Sequence, residues 1–117
     1  MEDSTTSNPL PAYDPDESLQ LAAGDKSLAE DLFGLLIAEL PGQMADVSSA
    51  YHAGNAERLY QLVHKINGST QYTGVPALRR AANNLGLKIK DGGINNIKIE
   101  LADLEHEIKR LLEVAKF

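Results

Sequence analysis

The chain has 117 residues, of which 43% are apolar but only 5% aromatic, with no Trp, no Cys and a net charge of −6. That length supports one cooperative domain with its own core, and a core of Leu, Ile, Val and Ala points towards helices. The absence of Cys excludes a disulfide framework or thiolate metal site, no apolar run approaches bilayer-spanning length and no signal-peptide pattern appears, and the acidic total argues against general nucleic-acid binding.

The opening "MEDSTTSNPLPAYDPDES" is polar, acidic and Pro-rich without a period, so residues 1–14 read as a disordered leader or linker. With no targeting pattern, it points to a segment of a longer protein, Met1 having been added for expression. Pro15 or Asp16 opens a short helix through "ESLQLAA", stopped by Gly24. A long helix is expected from about Lys26 to His52, where Leu28, Leu32, Leu35 or Leu36, Leu40, Met44, Val47 and Tyr51 recur at three-and-four spacing. Pro41 falls inside it and should kink rather than end it, because the stripe resumes in register.

Gly54 stops that helix and Asn55 caps the next, whose inward stripe is Leu59, Leu62, Val63, Ile66 and Thr70 and whose end is expected at Gly74. Pro76 suits the first turn of a fourth helix with Leu78, Ala82, Leu85 and Ile89 inward. After "DGG", Asn95 or Asn96 caps a last helix carrying Ile97, Leu101, Leu104, Ile108, Leu111 and Ala115. No strand-like alternation of useful length appears, and the connections are short. The expected fold is all-α: an antiparallel up-and-down four-helix bundle over residues 15–117, with the short additional N-terminal helix packed on one end.

Within "LYQLVHKINGSTQYTGVPALRRAANNL", His64 lies two residues from both Leu62 and Ile66, about 200° from each around the helix, and so faces solvent. Residues three and four further on share its face, and these are Asn67 and Gly68. Glycine inside a helix costs about 1 kcal/mol relative to alanine. The gap lets another molecule approach the imidazole, and Asn67 can hydrogen-bond to whatever the ring carries. An exposed imidazole with nothing to hold it as a base suits nucleophilic attack on a phosphoryl group. Charge is unevenly placed: residues 1–57 net −10 and residues 58–117 net +4. The window from Arg58 to Lys90 holds six basic side chains (Arg58, Lys65, Arg79, Arg80, Lys88 and Lys90) and no acid. Such a window suits a small acidic or phosphorylated partner surface.

"HKINGSTQYTGVPALRRAANNL" resembles the signature of histidine-containing phosphotransfer (HPt) domains, in which His is followed at four and five by small residues. Through "YTGVPALRRA" it looks most like the C-terminal HPt module of BarA/GacS-type hybrid sensor kinases, over roughly residues 15–117. The resemblance implies that His64 accepts the phosphoryl group and that Gly68 gives a receiver domain access to it. Lys65, Asn67, Gln71, Arg79 and Lys90 join Gly68 as the expected phosphate- or partner-contacting set. It also implies a phosphorelay in which one receiver's phosphoaspartate donates to His64 and another receiver accepts. The module would have no ATP-dependent kinase activity and no cofactor of its own, Mg²⁺ being supplied by the receiver. A monomer in the cytoplasm without nucleic-acid or direct membrane contact is expected, its parent being an inner-membrane sensor kinase. Two positions depart from the family pattern: Asn67 stands where Lys is frequent and Gly86 where Gln or Glu is. Gly86 and Lys90 share one face of the fourth helix with Arg79 and Asn83, and that face is expected beside the third helix near His64.

The other histidines read more plainly. His52 ends a helix, where the dipole favours positive charge. His106 lies opposite the last stripe among Asp103, Glu105 and Glu107, and Asp103-x-x-His106 lacks the inward partners of a carboxylate-bundle metal site. A kinase active site is excluded by the absence of any Gly-rich phosphate loop. A bundle that binds receivers without carrying phosphate, or a purely structural bundle, stays open at this point; the latter leaves His64 and Gly68 unexplained.

Overall fold

The computed structural model describes residues 10–115, so the first nine positions of the expected leader lie outside it. Five α-helices form, with no strand among the described residues. The Asp14 carboxylate accepts the backbone N–H groups of Asp16 and Glu17 at 3.1 and 3.2 Å, and Pro15 takes the first helical position, opening α1 (Pro15–Leu21). Gly24 then turns the chain at φ 84°. Asp25 caps α2 (Lys26–His52) through the N–H of Leu28, and α2 runs through Pro41 without ending. Asn55 caps α3 (Ala56–Ser69) through the N–H of Arg58. This helix is shorter than expected, because the chain tightens into a 3₁₀ turn at Thr70–Tyr72 before Gly74 is reached.

Pro76 begins α4 (Pro76–Gly92), and Gly93 at φ 76° ends it. The last helix, α5 (Lys98–Val114), is the correction to the expected capping. Neither Asn95 nor Asn96 caps it; Ile97 occupies the cap position with no side-chain bond, buried in the core instead. Here burial of an apolar side chain outweighs a cap worth about 1 kcal/mol.

The packing follows the inward stripes. Leu59, Val63 and Ile66 of α3 meet Leu78, Ala82, Leu85 and Ile89 of α4, with Leu36, Leu40 and Val47 of α2 and Leu104, Ile108 and Leu111 of α5 closing the core. Arg79 of α4 reaches Thr70 at the end of α3; seven residues back along α3, Val63 lies beside Gly86, seven residues further along α4. That matched spacing sets the two helices antiparallel.

Three further sequence expectations are revised. On α2, Leu28 is 43% exposed while Ala29 is buried, and of the alternatives Leu35 and Leu36 it is Leu36 that is buried, because a helix of 27 residues meets α1, α3 and α5 at different levels and its buried line wanders. On α5, Glu107 is 2% exposed rather than solvated: it stands three residues after Leu104 and four before Leu111, on their face. A buried carboxylate needs a partner, and the Arg110 guanidinium supplies one at 2.8 Å while donating to the Leu10 carbonyl at 3.1 Å. The third concerns the leader: its described part, from Leu10 to Asp14, is packed on the bundle. Ala77 N–H donates to the Pro11 carbonyl at 3.2 Å, Ala12 is buried, and the Tyr13 ring lies 4.3 Å from that of Phe33.

Gly74 is where the N-terminal part closes on the bundle. Asp14 N–H donates to its carbonyl at 2.8 Å, and a Cβ there would meet the Asp14 carbonyl oxygen and, at 2.6 Å, the Ser18 backbone nitrogen. Gly74→Ala should therefore cost about 1–3 kcal/mol by overpacking. Gly34→Ala, at a helix position where a Cβ meets nothing within 4 Å, should gain up to about 1 kcal/mol. Urea denaturation of the two variants checks both signs.

Candidate functional site

The site begins with a split between neighbours on α3. Val63 is fully buried and fixes the helix against α4, and one residue on, about 100° around, His64 is exposed. The same packing that orders the backbone thus leaves the imidazole outside. Tyr60, one turn earlier, stacks on the ring with centroids 5.9 Å apart and planes 19° apart. That contact lays the imidazole roughly parallel to the Tyr60 ring while His64 stays exposed.

Across from His64, α4 contributes Asn83, Gly86, Leu87 and Lys90 to a groove of about 180 Å³ shared with Tyr60, His64 and Asn67. Small-molecule sites usually enclose about 300–1,000 Å³, so this groove suits a small group presented by a larger partner better than a whole ligand. Gly68 extends the open side: it is exposed, and a Cβ added there meets nothing within 4 Å.

The remaining expected site residues separate into three places. Asn67 lines the groove, and its Oδ1 accepts from Gln71 Nε2 at 3.2 Å with the Thr70 hydroxyl 3.4 Å away, which leaves its amide N–H₂ as the donor it can offer. Gln71 is held by this contact on the neighbouring groove, beside Arg79 and Arg80. Lys65 is exposed and lines neither groove.

Arg79 stands on the expected face of α4, but its guanidinium turns away from His64. It binds both Glu17 carboxylate oxygens, at 2.6 and 3.3 Å, and donates to the Thr70 and Thr73 carbonyls at 3.2 and 3.1 Å. Helix ends leave carbonyls unpaired, and a planar fork that satisfies two of them together with a bidentate carboxylate is a structural clamp. Arg79 therefore holds the site together from outside the groove. Its partner Glu17, 62 residues away in sequence, left no trace in local spacing.

Sequence reasoning also passed over Tyr60 and Leu87, whereas Asn83 stands, as expected, on the face of α4 that brings Gly86 and Lys90 to the groove of His64. Tyr60 was detectable, since it precedes His64 by four residues on one helix face; Leu87 needed the α3–α4 register. His52 and His106 are both exposed, His52 beside the Tyr51 ring at 5.6 Å. No cluster of three or more His, Asp or Glu placed to hold a metal occurs among the described residues.

Comparison with known proteins agrees with this fold. The Hpt domain family model matches residues 31–114. The chain is 35% identical over 107 residues to the sensor histidine kinase GacS of Pseudomonas protegens, covering 92% of this chain and 12% of that protein. To the signal transduction histidine-protein kinase BarA of Escherichia coli K12 it is 31% identical over 106 residues, covering 91% of this chain and 11% of that one. It thus spans about an eighth or less of these kinases. In fold it matches the crystal structure of the HPT domain of a Shewanella sensor hybrid histidine kinase with a TM-score of 0.84, at 21% identity over 90% of this chain and 91% of the other.

Open space at Gly68 makes one expectation about stability. Gly68→Gln should leave the fold equally stable or more stable by up to about 1 kcal/mol, because helix propensity rises and nothing is displaced. A fall of 1 kcal/mol or more in thermal or urea denaturation would show that Gly68 packs against something after all.

Proposed function

This chain belongs to the Hpt domain family, and on that premise we propose that it is a phosphorelay intermediate with His64 as the phosphoacceptor. The observation that carries the reading is the pairing of an exposed imidazole with open space one turn on, at Gly68, on a face otherwise ordered by a rigid core. The donor and the acceptor are the phosphorylated aspartates of receiver domains. In the forward step the unprotonated imidazole nitrogen attacks phosphorus, an N–P bond forms, and the P–O bond to the aspartate breaks with its electron pair staying on the carboxylate. The second ring nitrogen keeps its proton, so the ring becomes cationic as it takes up the phosphoryl group; transfer to the next receiver reverses this.

Such transfer depends on alignment and charge placement more than on covalent work by the acceptor. The bundle supplies a fixed, accessible nucleophile. Mg²⁺, bound by the receiver, neutralises charge on the phosphoryl group in transit. A receiver-binding module that carries no phosphate leaves the opening at Gly68 without a use. We place the module, as a monomer, on the cytoplasmic side of a hybrid sensor kinase; no helix among the described residues is long and apolar enough to cross a membrane.

Incubation with a radiolabelled phosphorylated receiver should give an acid-labile, alkali-stable label that His64→Gln cannot acquire. Label persisting in that variant, or arising from ATP and Mg²⁺ without a receiver, would overturn the reading. Gly68→Gln should remain folded yet lose transfer, since a side chain of that size occupies the approach to the ring. Association with the receiver should weaken as salt rises, because exposed charges are screened within about 10 Å at 0.1 M.

A further inference from the structure

Tyr60 stands four residues before His64 on α3, a spacing that puts the two rings on one helix face. Side chains on a helix lean towards its N-terminus, so the imidazole leans towards Tyr60 and away from Gly68. The Tyr60 ring is half-buried and packs against the core, whereas His64 is exposed. The stack, with centroids 5.9 Å and planes 19° apart, passes that anchorage to the imidazole. The separation falls within the roughly 4.5–7 Å of aromatic pairs. Packing on the core asks only for an apolar side chain at this position, and leucine would serve it.

The stack changes character as the phosphoryl group arrives. The attacking imidazole is neutral, and because its second nitrogen keeps its proton, the ring gains positive charge as the N–P bond forms. The face of an aromatic ring is negative, and a cation within about 6 Å of its centroid is attracted to it. Tyr60 therefore holds the ring more strongly while the bond is forming than before, which is the condition for speeding a step.

We propose that Tyr60 is a positioning residue for His64, whose π face fixes the imidazole and stabilises the positive charge that the ring gains during phosphoryl transfer. This rests on His64 being the phosphoacceptor. The help comes from the helix that carries the histidine, and it acts on the ring rather than on the phosphoryl oxygens.

Phosphoramidate tests this without a receiver, at about pH 8, where an ordinary imidazole is unprotonated. His64 attacks phosphorus, the P–N bond of the protonated donor breaks, and ammonia leaves with its electron pair. Tyr60→Leu, which keeps an apolar side chain but no ring, should slow labelling of His64 by about two- to fivefold, the range of an exposed cation–π contact. Tyr60→Phe, which loses only the hydroxyl, should restore the rate to within about 1.5-fold. Pentafluorophenylalanine placed at position 60 keeps the ring and nearly its shape but reverses the charge on its face, and should lose as much as Tyr60→Leu. Urea denaturation checks that each variant is folded in the assay. Labelling at full rate with leucine or with the fluorinated ring, or a loss in Tyr60→Phe equal to that in Tyr60→Leu, would overturn the proposal and leave the phosphoacceptor reading standing. Label in a His64→Gln protein would instead overturn that reading, and this proposal with it.

Discussion

The Arg79 guanidinium joins three parts of the chain that the rest of the structure needs in fixed relation. It holds α1 through Glu17, the end of α3 through the Thr70 carbonyl, and the following loop through the Thr73 carbonyl. Because Arg79 sits in the first turn of α4, satisfying those carbonyls also sets where α4 starts relative to the end of α3. Two antiparallel helices whose relative start is set have their register set throughout. From that register it follows that Gly86 meets Val63 and that His64 faces a groove bounded by Asn83 and Lys90.

Two glycines show how one residue type serves opposite ends within six residues. Gly74 is buried against the Asp14 and Ser18 backbone, where a methyl group has no room. Gly68 faces open space, where a methyl group would touch nothing. The first lets the N-terminal part of the chain close on the bundle, and the second leaves the imidazole approachable. Packing accounts for Gly74 and gives no account of Gly68, and its place one turn from the exposed His64 is what makes Gly68 the functional clue.

Charge follows the same division between scaffold and site. The carboxylates of Glu17, Glu100 and Glu107 are paired with Arg79, Lys88 and Arg110, the Glu107 carboxylate being out of water while Arg110 reaches the surface. A buried carboxylate is tolerated only with such a partner, and the pair fastens the Leu10 backbone to α5 rather than adding much net stability. With those cations engaged, Lys90 is the basic residue that lines the groove containing the exposed histidine.

Residue spacing alone determined the helical class, the order of five helices, the turn glycines and the solvent-facing position of His64, because helix periodicity and capping are local properties legible over a few residues. It also made the pair of His64 and Gly68 visible as unlike a packing pattern, and the resemblance to the Hpt family rested on that pair. Tertiary structure decided what lay between elements. The wandering buried line of α2, the burial of Ile97 in place of an asparagine cap, and the inward Glu107 each depend on a neighbour supplied by distant chain. Arg79 shows the reason most plainly: its helix face was legible, yet a long flexible side chain points wherever its partners are. Those partners, Glu17 and two carbonyls at the end of α3, are brought to it only by folding.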